Sequence, residues 1–205
     1  MFDQPLVFVD IDTQRDFLDP SGALYVPGSQ AILGNLGRLT AHARTHAIPV
    51  LATACAHRPE DAELRLFPPH CMAGTPGQLR IAATTWTGGV VLAPEQAFDG
   101  PVPQHLTVEK RTLDFFERPD ADRLLALYQR TNPQFVVYGV ATEYCVRYAV
   151  LGLLARDCRV LVVADAVRAI DLGSEPEVLG EFVSAGAILS VVARVTQPDG
   201  SRAKA

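Results

Sequence analysis

Residues Gln134–Cys145 read QFVVYGVATEYC and carry a strong signal for the fold. The first half of this stretch is apolar and rich in valine and aromatic residues, which predicts a strand buried on both faces. Gly139 then favours a tight turn, and Thr142 has the side chain of a helix N-cap. A buried strand that leads at once into a helix is typical of a parallel sheet covered by helices.

The rest of the chain repeats this alternation of short apolar runs and segments of helical period. We therefore predict an α/β fold with a mostly parallel, six-stranded sheet between two helical layers. The predicted strands are Leu6–Asp12, Pro49–Ala54, His105–Lys110, Gln134–Val140, Arg159–Ala166 and Ala187–Val195. The predicted helices are Ser29–Ala47, Pro119–Tyr128, Thr142–Arg156 and Ser174–Ser184.

Composition limits the function classes. The chain has 205 residues, of which 48% are hydrophobic, and we interpret residues 1–205 as a single domain. A formal net charge of -5 without a basic run argues against nucleic acid as a partner. The apolar runs are too short to cross a bilayer, and the first residues do not resemble a signal peptide, so we expect a cytoplasmic protein. The four cysteines have irregular spacing, which favours free thiols.

Polar side chains stand where the predicted strands end. Asp12 ends the first strand, Cys55 and His57 follow the second, Lys110 ends the third, and Cys145 follows the fourth. Ligands of a parallel sheet bind beyond these carboxyl ends, so we expect the side chains to converge. The long region Arg58–Gln104 is rich in proline and glycine, and we place the substrate pocket beside it.

Cys145 is the most informative of the four thiols. In the first turn of a helix, free amides and the helix dipole favour a thiolate and can stabilise an oxyanion. Asp12 could then exchange protons with the thiol, and Lys110 could hold a negative charge. The alternative is a buried structural cysteine beside an ordinary Asp12–Lys110 ion pair.

Three motifs resemble those of the isochorismatase-like cysteine hydrolases, and in particular of their nicotinamidase branch. The resemblance covers the chain from Leu6 to about Val195. Residues 12–17, DTQRDF, are similar to the family's Asp-x-Gln-x-Asp-Phe, whose first residue is a general base and acid. Asp10 is the rival candidate, but Gln14 sets the register on Asp12. The run Val108-Glu109-Lys110 matches the strand that delivers the active-site lysine, and residues 139–146, GVATEYCV, resemble the nucleophile motif.

This resemblance implies a three-layer α/β fold with a catalytic triad of Cys145, Asp12 and Lys110. It further implies a cis peptide bond between Val140 and Ala141, and an oxyanion hole formed by the amides of Ala141 and Cys145. The reaction would cleave a small carboxamide to an acid and ammonia through a thioester, without an organic cofactor. Relatives are often homo-oligomers, so the same is expected here, with a small-molecule amide as the partner.

Nicotinamidases commonly bind a divalent metal through an Asp-x-His pair and later histidines. His57 and His70 match this pattern, but Cys55 replaces the expected aspartate and Glu63 is the nearest substitute for the missing histidine. Thiolate and imidazole groups suit zinc, so the resemblance implies either a softer metal site or two structural histidines.

Aromatic residues complete the predicted pocket. Phe17 and Phe67 occupy positions that wall the substrate ring in the branch, and Trp86 or Phe115 could add to them. Each could equally belong to the core.

Three functions remain open at this point. The first is an amidase. The second is a vinyl-ether hydrolase of isochorismatase type, although enzymes of that type lack the cysteine nucleophile. The third is a non-catalytic binding protein that has kept the fold.

Overall fold

The computed structural model describes residues 4–98 and 100–197. Within this part of the chain, seven strands form one sheet: β1 (Leu6–Ile11), β2 (Val50–Cys55), β3 (Val90–Leu92), β4 (His105–Lys110), β5 (Gln134–Val140), β6 (Arg159–Arg168) and β7 (Ile188–Ser190). Their order is β3-β4-β2-β1-β5-β6-β7, and every neighbouring pair is parallel. The central strands are thus β2, β1 and β5, whose carboxyl ends carry the residues singled out above.

Helices cover both faces of the sheet, as the alternating sequence pattern predicts. They are α1 (Arg15–Leu18), α2 (Leu33–Thr45), α3 (Ala121–Gln129), α4 (Arg147–Leu154), α5 (Glu175–Ser184) and α6 (Val192–Val195). Helices α3, α4 and α5 pack in one apolar layer, and α1, α2 and α6 pack in the other. Successive residues of β1 alternate between the layers, because Val7 and Val9 join the first and Phe8 joins the second.

The structure differs from the sequence prediction at the two edges of the sheet. The prediction of six strands missed β3, which has only three residues and two of them exposed, so it carries little apolar signal. The predicted strand Ala187–Val195 is wrong beyond its start, because β7 covers only Ile188–Ser190 and the remainder forms α6. Val192 and Val195 are buried three residues apart, which is a helical rather than a strand period.

The prediction was also imprecise where helices begin. The segment Ser29–Ile32 is a 3₁₀ turn before α2, and α3 begins at Ala121 rather than at Pro119. The predicted helix Thr142–Arg156 opens with a π-helical turn over Thr142–Val146, which is kinked at Tyr144.

The N-cap expected at Thr142 is absent. The hydroxyl of Thr142 contacts Glu175 instead of capping a helix. Cys145 consequently lies in the turn before α4 rather than inside a regular helix.

The irregular region Arg58–Gln104 is tied to the sheet by specific contacts. Gln14 forms an isolated backbone β-bridge with Arg80, and His57 forms another with Met72. The buried guanidinium of Arg118 donates hydrogen bonds to the carbonyls of Ala93, Pro94, Gln96 and Glu109. The loops beside the carboxyl ends of the strands are therefore held in place by polar contacts.

Two expectations concern the chain as a whole. Among residues 4–98 and 100–197, no helix has the length and apolar content that a membrane span requires. The sequence also predicts a loose tail over Gln197–Ala205, and this segment lies outside the described residues except for Gln197.

Candidate active site

Asp12, Lys110 and Cys145 meet in the protein interior. The ammonium of Lys110 lies 2.9 Å from Oδ2 of Asp12 and 3.4 Å from the sulfur of Cys145. All three side chains are almost fully buried. The structure therefore brings together the three residues that the sequence placed at separate strand ends.

The backbone explains why these groups converge. Asp12 follows β1, Lys110 ends β4 and Cys145 follows β5, so all three lie at the carboxyl edge of the sheet. Gly139 allows β5 to approach β1, because a Cβ atom at this glycine would lie 2.0 Å from the carbonyl oxygen of Ile11. Its φ of +121° is also one that side chains with a Cβ rarely adopt. The peptide bond between Val140 and Ala141, shortly after this glycine, is cis.

Asp12 is held as a carboxylate. Burial would raise the pKa of Asp12, but the charge of Lys110 and a hydrogen bond from Thr53 bring it below the usual value. The Thr53 hydroxyl donates to Oδ1 of Asp12 at 2.6 Å. Burial likewise opposes the charge on Lys110, but Asp12 raises the pKa of Lys110 well above its ordinary range. The pair is therefore ionised.

Cys145 rests as a thiol. Its hydrogen bond with Cys55 and its burial raise the pKa of Cys145 well above that of an exposed thiol, and Lys110 only partly offsets this. The sequence argument favoured a thiolate from the helix start, but the π-helical turn and the second thiol change the environment. A base is accordingly needed to remove the proton, and Asp12 is the adjacent carboxylate.

The rival residue Asp10 has a different partner. Its carboxylate pairs with Arg80 and accepts a hydrogen bond from Thr13. Asp10 is buried on β1 but contacts neither Lys110 nor Cys145.

A small pocket opens onto the sulfur of Cys145. Phe17, Phe67, Ala141 and Tyr144 are among its lining residues, as are Glu63 and His70 from the irregular region. Its volume is about 20 Å³, close to that of a single water molecule. Any ligand larger than a water molecule would therefore have to displace lining side chains.

The aromatic residues divide between two environments. Phe17 lies 5.3 Å from the ring of His70, and Phe67 lies 5.3 Å from the ring of Tyr144. Trp86 was also a pocket candidate, but it lines a separate groove with His105. Phe115 was another, and it belongs to the core on the α3 side. Of the four, only Phe17 and Phe67 therefore reach the sulfur pocket.

Four donor groups form a second cluster beside the pocket. One ligand atom each from Cys55, His57, Glu63 and His70 lies within 4.8 Å of every other, and all four residues are buried. Oε1 of Glu63 is 3.6 Å from Nε2 of His57 and 3.5 Å from Nε2 of His70. These separations match those around a tetrahedral zinc, where bonds of about 2.1 Å place donors about 3.5 Å apart.

The unpaired donor atoms of this cluster also fit a metal ion. Nε2 of both histidines and Oε2 of Glu63 are buried without a hydrogen-bond partner. Nδ1 of His57 faces the carboxylate of Asp61 at 3.2 Å, and Nδ1 of His70 faces the carbonyl of Pro68 at 2.8 Å. Such outer partners orient metal-binding imidazoles, with Nε2 directed at the ion. Burial lowers the pKa of His57, which keeps the imidazole neutral for a metal.

Cys55 connects the two clusters. Its sulfur lies 3.3 Å from Nζ of Lys110 and 3.7 Å from Oδ2 of Asp12, so a single ammonium faces one carboxylate and two thiols. The side chain of Gln14 fixes the backbone here, since it accepts from the amide of Cys55 and donates to its carbonyl.

The structure also gives roles to residues that sequence reasoning quoted without explaining. Asp16 accepts a hydrogen bond from the amide of Cys71, which holds the loop that carries His70. A Cβ atom at Gly77 would lie 2.1 Å from the carboxylate of Asp16, so a larger residue there would have to displace this side chain. The signal for Gln14 and Asp16 was present in residues 12–17. Nothing in the sequence pointed to roles for Asp61 and Thr53, except that they lie close in the chain to His57 and Cys55.

Solved structures of known proteins share the fold of this chain. Three solved structures are similar to the chain: a zinc complex of the pyrazinamidase of Pyrococcus horikoshii, the N-carbamoylsarcosine amidase of Thermoplasma acidophilum, and a nicotinamidase/pyrazinamidase of Bacillus subtilis. The first has 27% sequence identity and a TM-score of 0.73, over 91% of this chain and 98% of that one. The amidase of Thermoplasma acidophilum has 22% sequence identity and a TM-score of 0.74, over 96% of this chain and 99% of that one. The Bacillus subtilis structure has 21% sequence identity and a TM-score of 0.76, over 91% of this chain and 99% of that one.

A search of curated proteins found no match. The isochorismatase domain model, in contrast, matches residues 6–193, which include every strand of the sheet and each residue of both clusters. This match runs over most of the sequence. The chain therefore belongs to the isochorismatase family.

Proposed function

We propose that this protein is a cysteine-dependent amidohydrolase that cleaves a small carboxamide, nicotinamide or a similar compound, to the acid and ammonia. The observation that carries the proposal is the buried contact of Lys110 with both Asp12 and Cys145 at a pocket. An ionised carboxylate beside a protonated thiol supplies both the base and the nucleophile of such a reaction.

The first half of the reaction forms a thioester. Asp12 takes the proton of Cys145 as the sulfur adds to the amide carbon, and Lys110 remains beside both groups. The oxyanion is stabilised by the amides of Ala141 and Cys145, in an arrangement that costs little reorganisation. Protonated Asp12 gives its proton to the amide nitrogen, the carbon–nitrogen bond breaks, and ammonia leaves.

The second half restores the enzyme. A water molecule adds to the thioester carbon as Asp12 accepts one of its protons. The carbon–sulfur bond then breaks, the carboxylic acid leaves, and the sulfur recovers its proton from Asp12. No organic cofactor takes part.

Cys55, His57, Glu63 and His70 would hold a divalent ion such as zinc in this proposal. A bound zinc supplies a Lewis acid that can bind a ring nitrogen or a water molecule. The charge of Lys110 compensates a thiolate at Cys55, while Asp61 and Pro68 orient the two imidazoles. The small pocket, with Phe17 and Phe67 near His70, favours a planar ring in this position.

Ammonia release tests the reaction. Wild-type protein should release ammonia from nicotinamide or another member of a carboxamide panel, whereas Cys145→Ala and Asp12→Asn should lose at least about a thousandfold in kcat/KM. Cys158→Ala is the matched control, because Cys158 is a thiol in contact with Gln129, away from the pocket, and should retain activity.

The rival functions give other results. Release of a keto acid from a vinyl ether, with Cys145→Ala unaffected, would favour the vinyl-ether hydrolase. No turnover of any substrate by wild type would favour the binding protein.

Metal analysis tests the second cluster. Protein purified without chelator should contain about one zinc per chain, and His57→Ala with His70→Ala should reduce this to a small fraction. His46→Ala replaces an exposed histidine and should leave the zinc content unchanged.

The cobalt-substituted protein reports on the sulfur ligand. It should show a thiolate-to-cobalt absorption band that Cys55→Asp removes while metal binding persists. Equal metal contents in the wild type and the double histidine variant would leave the histidines with a structural role.

A further inference from the structure

A second cavity lies away from Cys145, on the face of the sheet that α2 covers. It has a volume of about 330 Å³ and is bounded by β3, β4 and the segment from residue 79 to residue 89. We call it the Trp86 groove, and the residues that matter below are Arg15, Arg80, Trp86, Gly89, Val91 and His105. This volume is in the range of small-molecule sites, whereas the sulfur pocket is much smaller.

His105 lies in the wall of this groove. The residue is 97% buried and its ring stacks on Trp86 at 4.9 Å, but its ring nitrogens bond to no described residue and are not fully enclosed, so they keep some exposure. A buried imidazole usually has a partner for its N–H group, and here the groove is the open side. The ring is therefore positioned to donate to a ligand.

Burial and two arginine side chains act on this ring. Burial, Arg80 and Arg44 together lower the pKa of His105 to about 3, so the imidazole is neutral at pH 7. The guanidinium of Arg44 lies 4.7 Å from the ring centroid of Trp86. Arg80 is balanced by Asp10, but Arg15 adds another cation to the lining, which contains no carboxylate.

The remaining wall of the groove is apolar. Val91 is 59% exposed on the edge strand β3, and Leu79 and Trp86 contribute further apolar surface. The ligand therefore needs an uncharged body as well as an anionic group.

We propose that the Trp86 groove is a second binding site, for a small organic anion with an apolar body, such as an arene carboxylate or sulfonate. The anionic group lies toward Arg15 and the N–H of His105, and the apolar body contacts Val91 and Trp86. This site is separate from the sulfur of Cys145 and does not depend on the amidohydrolase proposal.

The chain has one tryptophan, so Trp86 itself reports on occupancy. The probe is anilinonaphthalene sulfonate, and its neutral control is N-phenylnaphthylamine, which lacks the sulfonate. The anionic probe should quench Trp86 emission in a saturable way, with an affinity at least about tenfold higher than that of the neutral one. Equal affinities for the two probes would overturn the proposal, because an apolar surface alone would explain them.

Paired charge variants locate the site. Val91→Lys and Val91→Asp alter the same exposed position, and the second should bind the anionic probe about tenfold or more weakly than the first. Arg15→Glu should weaken binding, whereas Arg130→Glu, on the α3 side of the sheet, should not. Identical binding by the two Val91 variants would refute the site.

Filling the cavity is a separate test. A Cβ atom at Gly89 would lie 3.0 Å from Nδ1 of His105, and the backbone there does not require glycine. Gly89→Val should abolish saturable quenching, with folding verified by circular dichroism, and Gly89→Ala should weaken it if the larger side chain prevents folding. Binding unchanged in a folded Gly89 variant would place the probe elsewhere.

Discussion

At the scale of single residues, the site depends on one buried ammonium. Lys110 lies beside a carboxylate and two sulfurs, and the attraction of Asp12 keeps it charged despite burial. Sequence reasoning proposed Lys110 as a partner of Asp12 and Cys145. It also expected Cys55 to converge with these strand-end residues, but it gave Cys55 a role only in the metal motif and therefore did not predict that Cys55 shares the same ammonium.

His105 gives a prediction on the pH dependence of stability. Its pKa is about 6.5 in the unfolded chain and about 3 in the folded protein, so only the unfolded chain binds this proton near pH 5. The stability that neutral His105 contributes to folding is therefore fully present above pH 6.5. It decreases as the pH falls, by about 2 kcal/mol at pH 5. His105→Phe keeps an aromatic ring against Trp86 and should lose less stability on acidification than wild type.

Urea unfolding at about pH 7.5 and about pH 5 measures this difference. His42 and His57, whose pKa values are also lowered, titrate in both proteins and cancel in the comparison. The same pH dependence in both proteins would contradict the assignment.

At the scale of elements, the end of β5 is shaped by glycine. Gly139 lies against the carbonyl of Ile11, which brings β5 close to β1 immediately before Ala141 and Cys145. This glycine belongs to the run 139–146 that marked the nucleophile, so a motif noticed for its chemistry also has a backbone requirement.

Gly139→Ala should destabilise the protein by about 3 kcal/mol or more, because the added carbon overlaps backbone atoms and the φ is unfavourable. Gly34→Ala is the matched control, since nothing lies within 4 Å of the added carbon on α2. The control should be neutral or stabilised by up to about 1 kcal/mol. Thermal and urea unfolding check both, and equal stabilities would show that β5 tolerates a side chain here.

At the scale of the whole molecule, a buried ion pair attaches the irregular region to the sheet. Arg80 pairs with Asp10 on β1 and also donates to Thr13 and to the carbonyls of Thr53 and Thr84. Arg147 and Glu181 form a bidentate pair between α4 and α5, but both side chains are more than one-third exposed.

Arg80→Met should cost about 3 kcal/mol of unfolding free energy, because Asp10 loses its partner in the interior. Burial already raises the pKa of Asp10, so protonation limits the cost. Arg147→Met should cost less than about 1 kcal/mol, because solvent screens that pair. Unfolding in urea compares the two, and a cost for Arg147→Met as large as that for Arg80→Met would contradict this ranking.

Local sequence patterns were sufficient to predict the layered fold and to select three residues at strand ends. Parallel strands end at one edge, so Asp12, Lys110 and Cys145 could be grouped from local patterns. The exposed edge strand β3 and the helix α6 escaped prediction, because short segments carry weak periodicity.

The packing of the region Arg58–Gln104 against the sheet, in contrast, became visible only in the folded protein. Its path places Glu63 and His70 beside Cys55, and Trp86 beside His105, through contacts between residues far apart in the chain. No local period encodes such contacts, since they depend on buried hydrogen bonds such as those of Gln14, Asp16 and Arg118.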